Sequence, residues 1–396
     1  MTGWQVDPRG LDGGVWEVAI VGGGPAGAVA ALHLARGGCN VLVLERSRFP
    51  RDKVCGDALI ADSIRVLDRA GLLSLVEASA VEATSLRLFS PSETEVVVPT
   101  RALVVKRRKF DELLISAAAG DGAVVARGTV ERIEAGSPSS LWLQNGDRPI
   151  RARIVIIATG ANVRLLESLN MVQEAKPSVV ALRRYVRSEE NIDHLVFSFD
   201  RHIAPGYAWL FPLGDGEYNV GCGVAYGGTR SGLTATLDRF LNDFAPLHRF
   251  SSRIQAMEPL KGAVLRCGLK GAAAWRPPGI LAVGETIGTT FPFTGEGIGK
   301  AMETGERAAA LVLKALQEDD LGVLERFPAE VEALRIRYRG YELAERWVAF
   351  PWLTELVLRL ARRSPHAIRC AEAVLNETAD PRELFSLRGV WNMLRS

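Results

Sequence analysis

The segment that most restricts this chain lies near its N-terminus. Val15-Trp16-Glu17-Val18-Ala19-Ile20-Val21 is short, apolar and β-branched, the pattern of a buried strand. It runs straight into Gly22-Gly23-Gly24-Pro25-Ala26-Gly27. Ala28 to Arg36 is alanine-rich and helical in character, and Gly37-Gly38 ends it. Asn40-Val41-Leu42-Val43-Leu44-Glu45 then reads as a second strand closed by an acid. Gly22 permits the tight turn, Gly24 lets the backbone approach a pyrophosphate, and Gly27 lets helix and strand pack closely. The helix N-terminus offers free N–H groups and the positive end of its dipole to phosphates. Glu45 can accept hydrogen bonds from a ribose diol. A glycine-rich turn can also serve packing alone. Here the strand before it, the helix after it and the acid behind it point to a dinucleotide site. The turn does not separate FAD from NAD. Val18 to Ala35 is nearly uncharged and about long enough to span a bilayer, but Gly22 to Pro25 interrupt it.

The rest of the composition narrows the class. A length of 396 residues predicts two domains, or one large α/β unit with an insertion. Apolar residues make up 47% and charged residues 24%, which excludes disordered, collagen-like and disulfide-scaffold chains. Forty-eight basic against 46 acidic residues leave +2, which argues against a polyanion-binding surface covering the whole molecule and so against nucleic acid as a partner. Cys39, Cys55, Cys222, Cys267 and Cys370 form no CxxC and no close pair, so no metal is expected and reduced thiols in the cytoplasm fit. Met1 to Gly14 carries Asp7, Arg9 and Asp12 and lacks the apolar core of a secretory leader.

Four further segments carry a resemblance. RSRFPRDKVCGD, Arg46 to Asp57, follows the acid. Arg107-Arg108-Lys109-Phe110-Asp111 heads a helix-like stretch. Ile154 to Gly160 is a buried strand ending in a small-residue turn. Ile280 to Glu285 is another strand, followed by Phe291-Pro292-Phe293-Thr294-Gly295-Glu296-Gly297-Ile298. Together these resemble the FAD-binding domain of the para-hydroxybenzoate-hydroxylase-like flavoproteins. Within that group, Lys53 to Asp57 and Pro205-Gly206-Tyr207-Ala208-Trp209-Leu210-Phe211-Pro212 look most like the geranylgeranyl reductase family, over roughly residues 15 to 315. Halogenases and monooxygenases carry cousins of both motifs.

The resemblance implies an α/β fold: a Rossmann-like (GR2-type) FAD-binding domain, an antiparallel β-sheet substrate domain and a helical C-terminal region. The expected bounds are 1–171 and 276–315 for the FAD-binding domain, 172–275 for the substrate sheet and 316–396 for the helical region. It implies that Gly22, Gly24, Pro25, Ala26, Gly27, Glu45 and Arg46 hold the adenosine diphosphate end of FAD. Cys55, Arg107, Gly160, Gly284 and Glu285 would lie along the cofactor. Gly295, Gly297 and Ile298 would open a helix aimed at the flavin pyrimidine, its dipole favouring negative charge on reduced flavin. Glu285 stands where the family usually has an aspartate.

Tyr207, Trp209, Phe211 and Pro292 are expected to line the substrate cavity. The alternation of the first three would equally suit one apolar strand face. Lys53, Cys55, Tyr207 and Trp209 are the catalytic candidates. Lys53 would otherwise be solvated, Cys55 a small turn residue, and Glu296 only a helix N-terminal charge. No catalytic histidine or nucleophile elbow is expected.

Residues 60 to 100 read as helix then two short strands, and 124 to 143 as a small β-meander. Val179 to Val186, Leu195 to Phe199, Tyr207 to Pro212 and Tyr218 to Val224 read as the substrate sheet, with Leu233 to Phe244 a helix crossing it. The chain is expected to be helical from Gly299 to its end. There Leu353, Leu356, Val357 and Leu360 form a stripe near Trp347 and Trp352, with Arg359, Arg362 and Arg363 around it. The stripe suits a cap over the cavity better than a peripheral membrane contact.

With one dinucleotide fingerprint taken by FAD, NAD(P)H or a protein electron donor would act only transiently. The favoured activity is reduction of C=C bonds in an apolar substrate such as a prenyl lipid, with Tyr207, Cys55 or water as proton source. The rival is a monooxygenase that hydroxylates an aromatic ring, of a small molecule or a protein side chain, through a flavin C4a-hydroperoxide. A halogenase stands third.

Overall fold

The structure, a computed structural model, describes residues 5–8, 11, 13–225, 232–244, 254–384 and 386. The buried strand Val15–Val21 sits between Val41–Glu45 and Ile150–Ile157, paired in parallel with both. Val124–Arg127 and Gln5–Val6 extend the parallel sheet on one side, Ile280–Ala282 on the other. Both faces of this sheet are covered, which is why its central strands are apolar at consecutive positions: Val18, Ala19, Ile20 and Ile154 to Ile157 are all fully buried. Helix Pro25–Arg36 follows the glycine turn, and helix Ile298–Gln317 packs against it.

A second sheet runs in the order Gln255–Ala256, Val179–Arg187, Glu217–Ala225, Gly206–Gly214, Leu195–Ser198, Val81–Phe89, Glu95–Val104 and Ala58–Leu59. It is antiparallel except where Leu195–Ser198 pairs in parallel with Val81–Phe89. Its two faces follow the two-residue strand period. Ala208, Leu210, Val220 and Cys222 pack under helix Leu233–Asp243 through Leu237, Phe240 and Leu241. Tyr207, Trp209 and Phe211 point the other way, into a hollow.

The sheets divide the chain differently from the expected bounds. Ala58–Leu59, Val81–Phe89 and Glu95–Val104 lie within 1–171 yet belong to the second sheet. The chain thus crosses over once before residue 60 and again after 172. Val124–Arg127 is not part of a meander but a strand of the parallel sheet; only Val130–Glu134 and Ser139–Leu143 form the hairpin. Both corrections have one cause: a short strand's own pattern does not say which sheet it will join. The C-terminal helices are Ile298–Gln317, Phe327–Val348, Pro351–Arg363 and Pro365–Leu375. Residues 385 and 387–396, expected to be helical, lie outside the described residues, as do Arg9 and Asp12 of the first stretch. No helix among the described residues is long and apolar enough to cross a membrane.

Candidate active site

One hollow of about 920 Å³ runs from the glycine turn, between the two sheets, to the C-terminal helices. At its first end the three turn glycines do different things. Gly22 has φ +110°, and a Cβ there would lie 2.3 Å from the Ala158 carbonyl oxygen. A Cβ on Gly27 would lie 1.9 Å from the Gly22 oxygen, so this glycine permits close helix–strand packing and does not itself reach the hollow. At Gly24 the nearest atom to an added Cβ is Arg51 Nη2, at 3.6 Å. No backbone or core group demands glycine there. What Gly24 keeps clear is the space above the N-terminus of helix Pro25–Arg36. Open space at a helix N-terminus, with Pro25 and Ala26 behind it, fits a dinucleotide pyrophosphate.

Glu45 ends its strand, as expected, and is buried there. One carboxylate oxygen accepts Gly23 N–H at 2.9 Å and the other accepts Ser47 N–H at 3.0 Å. Both oxygens keep lone pairs for a ribose, and Arg46 lies exposed at the rim. Arg107 borders the hollow, but its guanidinium is already forked onto Asp111 at 2.7 and 2.9 Å. Arg51 Nη1 adds a second cation 3.0 Å from Asp111.

Further along, Gly160 and Gly284 both adopt positive φ, and Glu285 stands beside them. The extra methylene of Glu285 carries its carboxylate to 3.7 Å from Lys53 Nζ, so Lys53 pairs across the hollow and is not merely solvated. Gly295, at φ +69°, and Gly297 lead into helix Ile298–Gln317, whose N-terminus faces the hollow. The helix starts one residue before the expected Gly299.

The middle of the hollow is walled by Tyr207, Trp209 and Phe211. The partner strand makes room for them. Trp209 pairs with Gly221, where a Cβ would lie 2.3 Å from the indole, and Tyr207 pairs with Gly223. Trp209 Nε1 donates to Asn219 Oδ1 at 2.9 Å. Asn219 Nδ2 donates to the Cys55 carbonyl and to Asp57 Oδ2, both at 2.7 Å. Tyr185 also donates to Asp57 Oδ2 at 2.7 Å, and the Arg107 N–H to Asp57 Oδ1 at 3.1 Å. Asp57 is fully buried, and burial, opposed in part by the Tyr185 and Asn219 hydrogen bonds, lifts it from 3.8 to about 6. Arg183 is likewise fully buried. Its guanidinium lies 3.8 Å from the Tyr185 ring centroid and bonds Asp52 at 2.8 Å and Glu258 at 2.9 Å. These bonds tie the 52–57 loop to the sheet, so Cys55 is presented by its backbone, with its thiol against Arg107.

Pro292 does not line the hollow. It is buried in the turn that precedes helix Ile298–Gln317, and its neighbour Phe293, at φ +72°, faces the space instead. The C-terminal stripe divides. Leu353 and Val357 close the far end with Leu358, while Leu356 and Trp352 point outward at 43% and 67% exposure.

Sequence reasoning missed Tyr185, Asn219 and Arg183. Asn219-Val220-Gly221-Cys222-Gly223 held a signal: small or polar residues at alternate positions leave one strand face open for a neighbour's large side chains.

Comparison with known proteins settles the family. Residues 16–184 match the FAD binding domain family, and residues 178–260 match the geranylgeranyl reductase catalytic domain. A menaquinone reductase of Mycobacterium tuberculosis is 31% identical over 95% of this chain and 94% of its own. The chain belongs to the geranylgeranyl reductase family. It is an FAD-dependent oxidoreductase. A digeranylgeranylglycerophospholipid reductase 2 of Methanopyrus kandleri is 31% identical over 77% of this chain and 78% of its own. A geranylgeranyl bacteriochlorophyll reductase-like protein of Thermoplasma acidophilum shares the fold, with TM-score 0.77, 21% identity and 96% of each chain covered. A flavin-dependent brominase shares it almost as closely, with TM-score 0.76, 16% identity and 96% and 98% covered. The fold alone therefore does not choose among these chemistries; the sequence relatives do.

Proposed function

We propose that this protein uses reduced FAD to saturate C=C bonds in the isoprenoid chain of an apolar lipid or quinone. The observation that carries the reading is the continuity of the hollow. It begins at the dinucleotide turn, passes the Tyr207–Trp209–Phe211 wall and ends among aliphatic side chains of the C-terminal helices. An extended, unsaturated, uncharged chain suits such a space. A geranylgeranyl lipid and menaquinone, the substrates in the names of the two relatives, have an isoprenoid chain in common.

Bound FAD supplies a hydride. The chain's own residues do the rest. Gly24 and the helix N-terminus behind it hold the pyrophosphate, Glu45 the ribose, and Arg46 closes the rim. Arg107, Gly160, Gly284 and Glu285 flank the middle of the cofactor. The Gly297 helix N-terminus favours negative charge on the reduced ring. Lys53 holds Glu285, and Cys55 borders the ring pocket. Trp209 and Phe211 keep water from the reacting carbons, and Tyr207 positions the chain beside them. Electrons come from NAD(P)H or from a protein donor that docks transiently.

The exposed Phe350, Trp352 and Leu356, with exposed Arg362 and Arg363 in the last turn of helix Pro351–Arg363, support contact between this end of the hollow and a membrane surface, where such a substrate resides.

The test is anaerobic. Holoprotein is reduced with dithionite, mixed with geranylgeranyl lipid or menaquinone in vesicles, and followed by flavin absorbance and product mass. Reoxidation with a product two hydrogens heavier per bond, the gain lying in the prenyl chain and not at the quinone carbonyls, supports the reading. Reoxidation only by oxygen, with hydroxylation of an aromatic compound, refutes it.

A further inference from the structure

Saturating a C=C bond takes a hydride on one carbon and a proton on the other, and the hollow contains an acid not yet assigned a role. We infer that Glu296 is the catalytic acid that delivers this proton, and that Asp62, Lys300 and Glu377 connect it to solvent. The inference rests on the reductase reading and names the missing half of its chemistry.

Glu296 lines the hollow between Gly295 and Gly297, beside the helix N-terminus proposed to face the flavin ring. Its surface is only partly covered because it borders that space, yet Oε2 is buried and has no hydrogen-bond partner among the described residues. The neighbours explain what proton state suits it. Asp62, from helix Ala61–Arg69, and Glu377, beyond helix Pro365–Leu375, are like charges. Lys300, one turn along the helix Glu296 precedes, is the facing cation, and Tyr207 and Tyr341 are neutral neighbours. Burial first, then Asp62 and Glu377, hold the Glu296 carboxyl well above the ordinary carboxylate range, against the pull of Lys300.

Lys300 is already committed. It is 1% exposed, with Nζ 2.6 Å from Glu377 and 3.4 Å from Asp62. Glu303, also nearby, is matched by Arg307 at 3.1 Å and Arg337 at 3.0 Å. Asp62 borders the hollow as well. Glu377 meets Arg65 at 2.9 Å, and Arg65 stands at the surface. The cluster therefore runs from solvent, through Glu377 and Lys300, to Asp62 at the cavity wall.

Tyr207, a rival donor, is worse placed. The Tyr207 hydroxyl donates to the Thr294 carbonyl, and burial pushes this phenol above its ordinary value. A phenol so placed yields its proton far less readily than a carboxylic acid.

In the step, the π bond of the substrate breaks. One carbon takes the hydride that reduced FAD supplies, which leaves FAD oxidised. The other carbon forms its C–H bond with the proton of the Glu296 carboxyl, whose O–H bond breaks. The Glu296 carboxylate regains a proton from solvent through the Asp62–Lys300–Glu377 cluster.

The test compares wild type with Glu296→Gln, which keeps the shape and has no acidic proton. Infrared spectra of the FAD-free proteins at neutral pH should show a protonated carboxyl band in wild type that E296Q lacks. In the anaerobic assay, E296Q should bind and accept electrons on FAD normally, yet reoxidise with a prenyl acceptor about 10²- to 10³-fold more slowly. The wild-type rate should be constant at low pH and fall tenfold per pH unit above the Glu296 pKa, whereas the E296Q residual rate should not. A wild-type carboxyl band that persists in E296Q, or an E296Q rate equal to wild type, overturns the assignment while leaving the reductase reading intact. Wild type that holds reducible FAD but transfers nothing to any prenyl acceptor overturns the reductase reading and this inference with it. If E296Q does not fold, the wild-type pH profile decides: a rate that does not fall at alkaline pH overturns the proposal.

Discussion

Gly24→Ala separates the cost of folding from the cost of holding the cofactor. Gly24 caps helix Pro25–Arg36 with φ −77° and ψ −176°, an extended backbone that alanine adopts freely. Its new Cβ would meet nothing closer than Arg51 Nη2 at 3.6 Å, an ordinary contact with the tip of a flexible side chain. Exchanging glycine for alanine at a helix N-cap therefore changes the stability of the FAD-free protein by no more than about 1 kcal/mol. The methyl instead enters the space proposed for the pyrophosphate. Losing one charge-assisted phosphate hydrogen bond costs about 1.5–3 kcal/mol, so the FAD Kd should rise about 10- to 10²-fold. Gly27→Ala is the contrast. Its Cβ falls 1.9 Å from the Gly22 carbonyl oxygen, so the helix must move away from its strand. Overpacking of that kind costs about 1–3 kcal/mol or more, and stability and FAD affinity should fall together. Thermal unfolding of the FAD-free proteins gives one axis, and FAD titration by fluorescence quenching the other. Gly24→Ala with wild-type FAD affinity would refute the placement of the pyrophosphate. Gly24→Ala protein as unstable as Gly27→Ala would refute the reading of its surroundings.

Three further outcomes follow from the site. Trp209→Ala should keep FAD but lose prenyl turnover, at a stability cost of about 3 kcal/mol for a buried aromatic; FAD loss measured by absorbance would make Trp209 part of the scaffold. Asp57→Asn tests a pH term: the folded carboxyl is raised from 3.8 to about 6, so its contribution is full below pH 3.8 and lost as pH rises through 6. The gap in unfolding free energy, wild type minus D57N, should therefore shrink by about 3 kcal/mol from low pH to pH 7, and an unchanged gap would sink the assignment. Trp352→Glu should reduce co-sedimentation with anionic vesicles several-fold without changing FAD content, because Trp352 is 67% exposed; equal binding would remove the membrane contact.

What was legible in the sequence is what local patterns encode. The strand–turn–helix–strand unit is local: it comprises thirty-one consecutive residues, Val15 to Glu45, and the close packing at Gly27 is against Gly22 and Ile20 of the same unit. The Tyr207–Trp209–Phe211 face was legible because a strand's two-residue period is written in its own sequence. The sheet membership of Val81–Phe89 was not, because it depends on pairing with Leu195–Ser198, more than a hundred residues away. The polar ties were hidden for the same reason. Asp57 meets Tyr185 and Asn219 from two other strands, and Arg183 reaches Asp52 and Glu258, so each residue alone looks like an ordinary strand or loop position. Glu296 shows the point most sharply. In the sequence it is a charge before a helix, where an ionised acid is favoured. In the fold, Asp62 arrives from helix Ala61–Arg69 and Glu377 from the turn after helix Pro365–Leu375, and Lys300 is drawn off to Glu377. Burial and like charge then outweigh the helix dipole, which supplies only about 0.3–1 kcal/mol, and they favour a neutral acid beside the aromatic wall.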